Sequence, residues 1–166
     1  NLDQLPVMAC FAAEKRLMLL VNPVFCYFDN PALTKEQLDY CLQYAGSPYV
    51  YVNRGIINFM KKGGNNINAP RCCSMHTTVV IDPANDLLLP CFHHASRRIP
   101  LNDNLTEIYY SPPLSRLRKH DGRFPFCNGC AVSCYLDPSF TTGWDKFFFH
   151  SQWSKCNYLW DKYIRK

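Results

Sequence analysis

Apolar residues follow two alternating rhythms along the first third of the chain. In LDQLPVMACFAAEKR they fall at Leu5, Met8, Phe11 and Ala12, a spacing that predicts a helix ending in basic residues. LMLLVNPVF is instead a continuous apolar run and predicts a fully buried parallel strand. Thr34 to Gln37 reads as a capping box opening the helix LTKEQLDYCLQYAG, with Gly46 as its stop. YVYV at 49–52 predicts a short strand, and RGIINFMKK a helix closed by Gly63 and Gly64. Helix, strand, helix, strand, helix is the grammar of βα repeats around a parallel sheet.

GGNNINAP follows, a linker by composition, and a boundary is expected at 64/65. Beyond it the period changes. HTTVVID, the turn residues of DPAND and the apolar LLLPC predict a β-hairpin. NLTEIYYS reads as a short helix capped by Asn104, and PPLSRLRKHDG as another, with Pro113 at its start and Gly122 past its end. From 138 to 166 the pattern is helical and rich in aromatics. Three regions result: 1–64, 65–137 and 138–166. Internal repeats and low-complexity tracts are absent.

Composition narrows the class. With 48% hydrophobic and 14% aromatic residues in 166, the chain can bury a core and is not a disordered tail. The net charge of +5 is scattered, apart from Arg97-Arg98 and Arg116 to Lys119. Such an excess suits an acidic substrate or a negatively charged surface, though solubility alone accounts for it, and nucleic-acid binding is not expected. No run approaches the roughly 18 apolar residues of a membrane span. The opening NLDQLP carries no secretory pattern. It also lacks Met, as a processed protein or a piece of a longer chain would.

Ten cysteines mark where chemistry is to be sought. Cys10, Cys26 and Cys41 lie in apolar periodic segments and are expected as small buried hydrophobes, as is Cys156 in the terminal helix. The other six are grouped: Cys72 and Cys73 before the hairpin, Cys91 after it, and Cys127, Cys130 and Cys134 as C-x2-C-x3-C. Short intervals let one loop supply several thiolates while a distant hairpin supplies the rest. Zinc and an iron–sulfur cluster both fit, and His76, His93 and His94 keep zinc open. Clustered thiols without a secretory signal point to a reducing compartment and a cytoplasmic location.

PRC, then TTVVIDPANDLLLPC, then FCNGCAVSCY resembles the C-terminal auxiliary-cluster region of radical S-adenosylmethionine enzymes, the SPASM and shorter twitch domains. The resemblance covers about residues 1–137. It implies an α/β chain: the last βα units of a partial (βα)6 barrel, then a small α+β twitch-like domain with a β-hairpin, then a C-terminal helix. It also implies one auxiliary 4Fe–4S cluster held by Cys91, Cys127 and Cys130, by Cys72 in preference to Cys73, and with Cys134 competing for the last place. Departures exist. A full SPASM domain carries a longer run, C-x2-C-x5-C-x3-C, and a second cluster, so the twitch type is the closer match. Where the family often has glycine before the post-hairpin cysteine, Asp86 stands beside Asn85.

No C-x3-C-x2-C is present, so S-adenosylmethionine and its catalytic 4Fe–4S cluster would belong to a part this chain lacks. The substrate is not identified by any residue here. A zinc-stabilised, non-catalytic binding module is the alternative, and a disulfide-bonded module a third. His93, His94, Arg97 and Arg98 are expected as ordinary surface polar residues. Trp144, Phe147, Phe148, Trp153, Trp160 and Tyr163 are expected to pack inward; the other reading is a peripheral membrane face.

Overall fold

The computed structural model describes residues 1–24, 32–102 and 104–165. They form two compact units, Asn1–Gly64 with Gly143–Lys166, and Asn65–Thr142. The chain passes from the first to the second at the Gly-rich linker. The terminal segment from 138 is divided, its first five residues belonging with the cysteine-bearing unit.

In the first unit a 3-10 turn, Leu2–Gln4, leads into helix α1, Leu5–Lys15. Then follow β1 (Leu19–Val21), α2 (Lys35–Gln43), β2 (Val50–Val52) and α3 (Arg54–Lys61). The expected capping box is formed: Gln37 N–H donates to Thr34 Oγ1 at 3.3 Å, and Thr34 N–H to Gln37 Oε1 at 2.9 Å. β1 and β2 pair in parallel, Leu19 against Val50 and Val21 against Val52, with α2 as the crossover. Ala9, Leu38, Cys41, Ala45, Val50, Val52 and Ile57 make the core.

Several expectations are corrected here. On α1 the buried positions are Leu5, Ala9 and Ala12, while Met8 and Phe11 are exposed. Leu5, Ala9 and Ala12 share one helical face, and two alanines on it let α1 sit close; the longer side chains fall on the flank. Cys10 follows them outward and is exposed, whereas Cys41 is buried. Cys26 lies outside the described residues. The apolar run forms only three strand residues, and Leu20 is 61% exposed. Pro23 has no N–H for a ladder, so the strand stops short.

Helix α8, Lys146–Tyr163, completes this unit against α3 and β2. Asp145 caps it, accepting from the N–H groups of Phe147 and Phe148. Its buried residues are Ser151, Ser154 and Asp161, not its tryptophans. Asn53 Nδ2 donates to Ser151 Oγ at 3.1 Å, Arg54 N–H to Ser154 Oγ at 3.0 Å, and Tyr49 N–H to Asp161 Oδ2 at 2.9 Å. Phe147 meets Phe59 edge-on at 5.1 Å and Tyr158 meets Tyr51 at 5.5 Å. Trp144, Trp153, Trp160 and Tyr163 remain exposed, against the expectation of inward packing. So does Cys156. The cause is the close approach of α3: a Cβ on Gly55 would stand 2.7 Å from Phe147 O and 3.0 Å from Ser151 Cβ. An indole does not fit in that space.

The second unit holds α4 (Ser74–Thr77), β3 (Asp86–Leu89), β4 (Arg97–Pro100), α5 (Leu105–Tyr110), α6 (Pro112–Arg118), a 3-10 turn (Pro125–Cys127) and α7 (Ser133–Phe140). β3 pairs antiparallel with β4, Leu87 opposite Ile99. The hairpin expected between HTTVVID and LLLPC is narrow. Ile81 bridges Leu87, Leu88 N–H donates to Val80 O at 2.9 Å, and Asn85 turns the chain at φ 64°. Its first half begins late because His76 and Thr77 enter the helical turn α4, overriding their β-branched neighbours. Asn104 caps α5, and Pro112 with Pro113 opens α6. Arg97 and Arg98 are exposed, Arg98 reaching Asp82 at 2.5 Å. Met75, Leu87, Leu89 and Leu114 form the core. Among the described residues no helix is long and apolar enough to cross a membrane.

The contact at Gly55 is testable. Gly55→Ala is expected to destabilise the chain by about 1–3 kcal/mol through overpacking, read as a lower urea midpoint at unchanged m-value.

Candidate metal centre

The cysteine-bearing loops are organised by Asn65, which is 1% exposed. Its Oδ1 accepts from Arg71 N–H at 2.9 Å and Cys72 N–H at 3.1 Å. Its Nδ2 donates to Gly122 O at 2.8 Å and Cys127 O at 3.2 Å. Its main chain adds two more bonds, from its N–H to Cys130 O at 2.9 Å and from Gly129 N–H to its carbonyl at 2.7 Å. An amide side chain offers two donors and one two-lone-pair acceptor, and all are used. The backbones carrying Cys72, Cys127 and Cys130 therefore meet around one residue. Gly122 lets them meet: it sits at φ +70°, and a Cβ there would stand 2.5 Å from Cys72 O.

Neighbouring Cys72 and Cys73 part company. Cys73 N–H donates to Ser139 Oγ at 2.9 Å, and its sulfur lies 3.6 Å from Thr142 Oγ1. Arg71 holds this side, donating to Ser139 O at 2.9 Å and Phe140 O at 3.0 Å at the end of α7. Cys72 is buried on the side of the other thiols.

Two further links bring in the hairpin. Asp121, buried, accepts from Met75 N–H at 2.8 Å and from Ser74 Oγ at 3.1 Å. Ser74 Oγ also lies 3.2 Å from Pro90 O, next to Cys91. The buried Tyr135 accepts on its hydroxyl from Phe92 N–H at 2.9 Å, joining the residue after Cys91 to the residue after Cys134. His94 stacks on Phe126 at 4.5 Å, and His93 meets Tyr135 edge-on at 5.9 Å. His76 is exposed on α4, where its charge favours the Asp121 carboxylate.

Electrostatically the thiols form one group. Charge on Cys130 would raise the pKa values of Cys72, Cys91 and Cys127, and charge on Cys134 those of Cys91 and Cys130. Burial is the largest influence on each. It pushes Cys72 and Cys127 up to about 12 and raises Cys91, Cys130 and Cys134. Burial also raises Asp121, against its hydrogen bonds from Met75 and Ser74. Backbone groups oppose the burial of the thiols: at Ser74 for Cys72, at His94 and His93 for Cys91, at Phe124 for Cys127, at Val132 for Cys130, and at Cys134 and Tyr135 for Cys134. A group that stabilises the anion is an amide N–H. These thiols are thus neutral at pH 7, with backbone dipoles favouring the anion at each sulfur.

That donor set fits a thiolate-bound cofactor. Cys72 is buried and Cys91, Cys127 and Cys130 are half-buried, their charges would act on one another, and amides favour them once ionised. Among the described residues no three His, Cys, Asp or Glu side chains are gathered tightly enough to hold a single metal ion. The nine described cysteines are all free thiols.

Reading the residues alone missed Asn65, Asp121, Ser74 and Tyr135. Asn65 carried one visible signal, an amide in a Gly- and Pro-rich linker seven residues before a cysteine, but that composition also describes any solvated turn. Compared with models of known protein families, with curated proteins and with solved structures, the chain matches none.

Two measurements probe this arrangement. Asn65→Ala leaves four backbone groups without partners and is expected to cost about 2–4 kcal/mol of stability, seen in denaturant unfolding; Asn65→Asp, which keeps the acceptor, is expected to fall between it and wild type. In the metal-free chain at neutral pH, iodoacetamide is expected to alkylate exposed Cys10 and Cys156 well before buried, neutral Cys72, read by peptide mass mapping. Equal rates at all three would contradict the burial described here.

Proposed function

We propose that this chain is the C-terminal portion of a radical S-adenosylmethionine enzyme and holds one auxiliary 4Fe–4S cluster. The observation that carries the reading is the convergence on Asn65 of the backbones bearing Cys72, Cys127 and Cys130. The Phe92–Tyr135 bond draws Cys91 to the same α7 terminus as Cys134. Cys72, Cys91, Cys127 and Cys130 are the preferred ligands, since Cys130 is the thiol whose charge the other three sense. Cys134, exposed at the start of α7, is the reserve. When bound, such a cluster accepts or relays an electron, or ligates substrate at an open iron.

The chain's own residues then have definite tasks. The four thiols give up their protons on loading, so uptake rises with pH. The amides at Ser74, His93, His94 and Val132 hold the resulting thiolates. The buried Tyr135 ties the Cys91 segment to the Cys134 segment through its bond from Phe92 N–H. Asp121 fixes α4 so that Cys72 stays turned inward. The parallel β1–α2–β2 unit supports the same reading, as the end of a partial barrel. Free thiols of this kind persist in a reducing compartment, so a cytoplasmic location is part of the proposal.

Anaerobic reconstitution with iron and sulfide is expected to give a broad visible charge-transfer band and about four irons per chain. Cys91→Ala should abolish uptake while Cys41→Ala leaves it intact. Tight, colourless zinc binding under the same conditions would instead support the zinc-stabilised module and overturn the cluster.

A further inference from the structure

Helix α8 is turned inside out relative to an ordinary surface helix. Small and polar residues, Ser151, Ser154 and Asp161, are buried against its own unit. Its exposed side carries Phe149, Trp153, Cys156, Trp160 and Tyr163. These positions step by four, three, four and three, so they form one continuous stripe along the helix. Trp153 is 63%, Trp160 54% and Tyr163 70% exposed, and Trp144, 83% exposed, precedes the helix. Ile164 prolongs the apolar surface past its end. Scattered apolar exposure needs no explanation, but a helix-long aromatic stripe does.

Its residue types say what covers it. A seam between two helices wants Leu, Ile or Val, whose shapes fit the holes of a facing helix. Tryptophan and tyrosine combine an apolar ring with one polar atom, which suits a boundary where hydrocarbon gives way to headgroups.

Charge gives the second argument. Neither carboxylate of this helix faces outward: Asp145 accepts from Phe147 and Phe148 N–H, and Asp161, buried, accepts from Tyr49 N–H and pairs with Arg165 at 2.6 Å. Lys146 and Lys162 are exposed, Lys146 at the head of the stripe and Lys162 beside Tyr163. The charge that α8 shows to solvent is therefore positive, as is the chain's net +5.

We propose that the aromatic face of α8 docks on an anionic lipid surface, the helix lying in the interfacial plane. The rings enter the headgroup region, and the lysines sit among lipid phosphates. This is independent of what the cysteines bind.

The test is co-sedimentation of the full chain with phosphatidylcholine vesicles, with and without phosphatidylglycerol, together with tryptophan emission. Binding with a blue shift is expected on the mixed vesicles, weaker on phosphatidylcholine alone and weaker at high salt. Trp153→Gln with Trp160→Gln should weaken binding at least about tenfold, since two large side chains lose their burial, while circular dichroism and the thermal midpoint stay at wild-type values. Absence of vesicle binding overturns the proposal. Full binding by the double variant also overturns it. Equal binding to both vesicle types overturns the choice of an anionic surface. A concentration-dependent dimer lost in the double variant, with no vesicle binding, would assign the face to a second copy instead.

Discussion

Four backbone groups converge on the side chain of Asn65, two as donors and two as acceptors. A buried amide must satisfy its donors and its acceptor or lose their full solvation energy, so these bonds act as an all-or-none clamp. On one side of the clamp lies the segment leading into α4, on the other the loop from Gly122 to Cys130. The placement of Cys72, Cys127 and Cys130 depends on it. Without Asn65 the backbone groups it pairs would need water, and water in that pocket would remove the desolvation that sets the thiols' behaviour.

Burial and hydrogen bonding pull the cysteines in opposite directions. Removing water keeps them neutral, since an isolated thiolate in a dry pocket is unfavourable. The nearby amides favour the anion. Asp121, a buried carboxylate, adds to the effect of burial, since its charge would raise Cys72 and Cys127 further. Nucleophilic catalysis needs a lowered thiol pKa, whereas burial raises these thiols, which supports the proposed metal coordination over it.

The first unit solves a different problem with small side chains. Gly55, Ser151 and Ser154 allow α3 and α8 to approach until hydrogen bonds from Asn53 and the Arg54 backbone reach across. Close contact on that side leaves no room for Trp153 and Trp160, which lie on the opposite side, while Phe147 and Tyr158 pack at its edges. The exposed stripe of α8 is thus a consequence of how the helix is anchored. The same sequence that fills the interface with serines leaves Trp153 and Trp160 outside.

The local grammar was legible from the residues. The capping box at Thr34–Gln37 and the Asn104 cap follow from side chains that bond backbone groups two or three residues away, and the prolines opening α6 and the positive-φ turn at Asn85 from the backbone preferences of those residues. The intervals between the cysteines were visible too, but that the segments carrying Cys72 and Cys127 meet at Asn65 was not. Which face of α1 or α8 turns inward was decided only by tertiary packing, since apolar residues such as Phe11 and Trp153 match a helical period whichever way the helix is turned. The separation of Cys72 from Cys73, and the parts played by Asn65 and Asp121, were likewise set by partners 46 to 66 residues away, at Met75, Cys127 and Ser139. Contacts across such distances leave no periodic trace in a chain, so no reading of intervals could have found them.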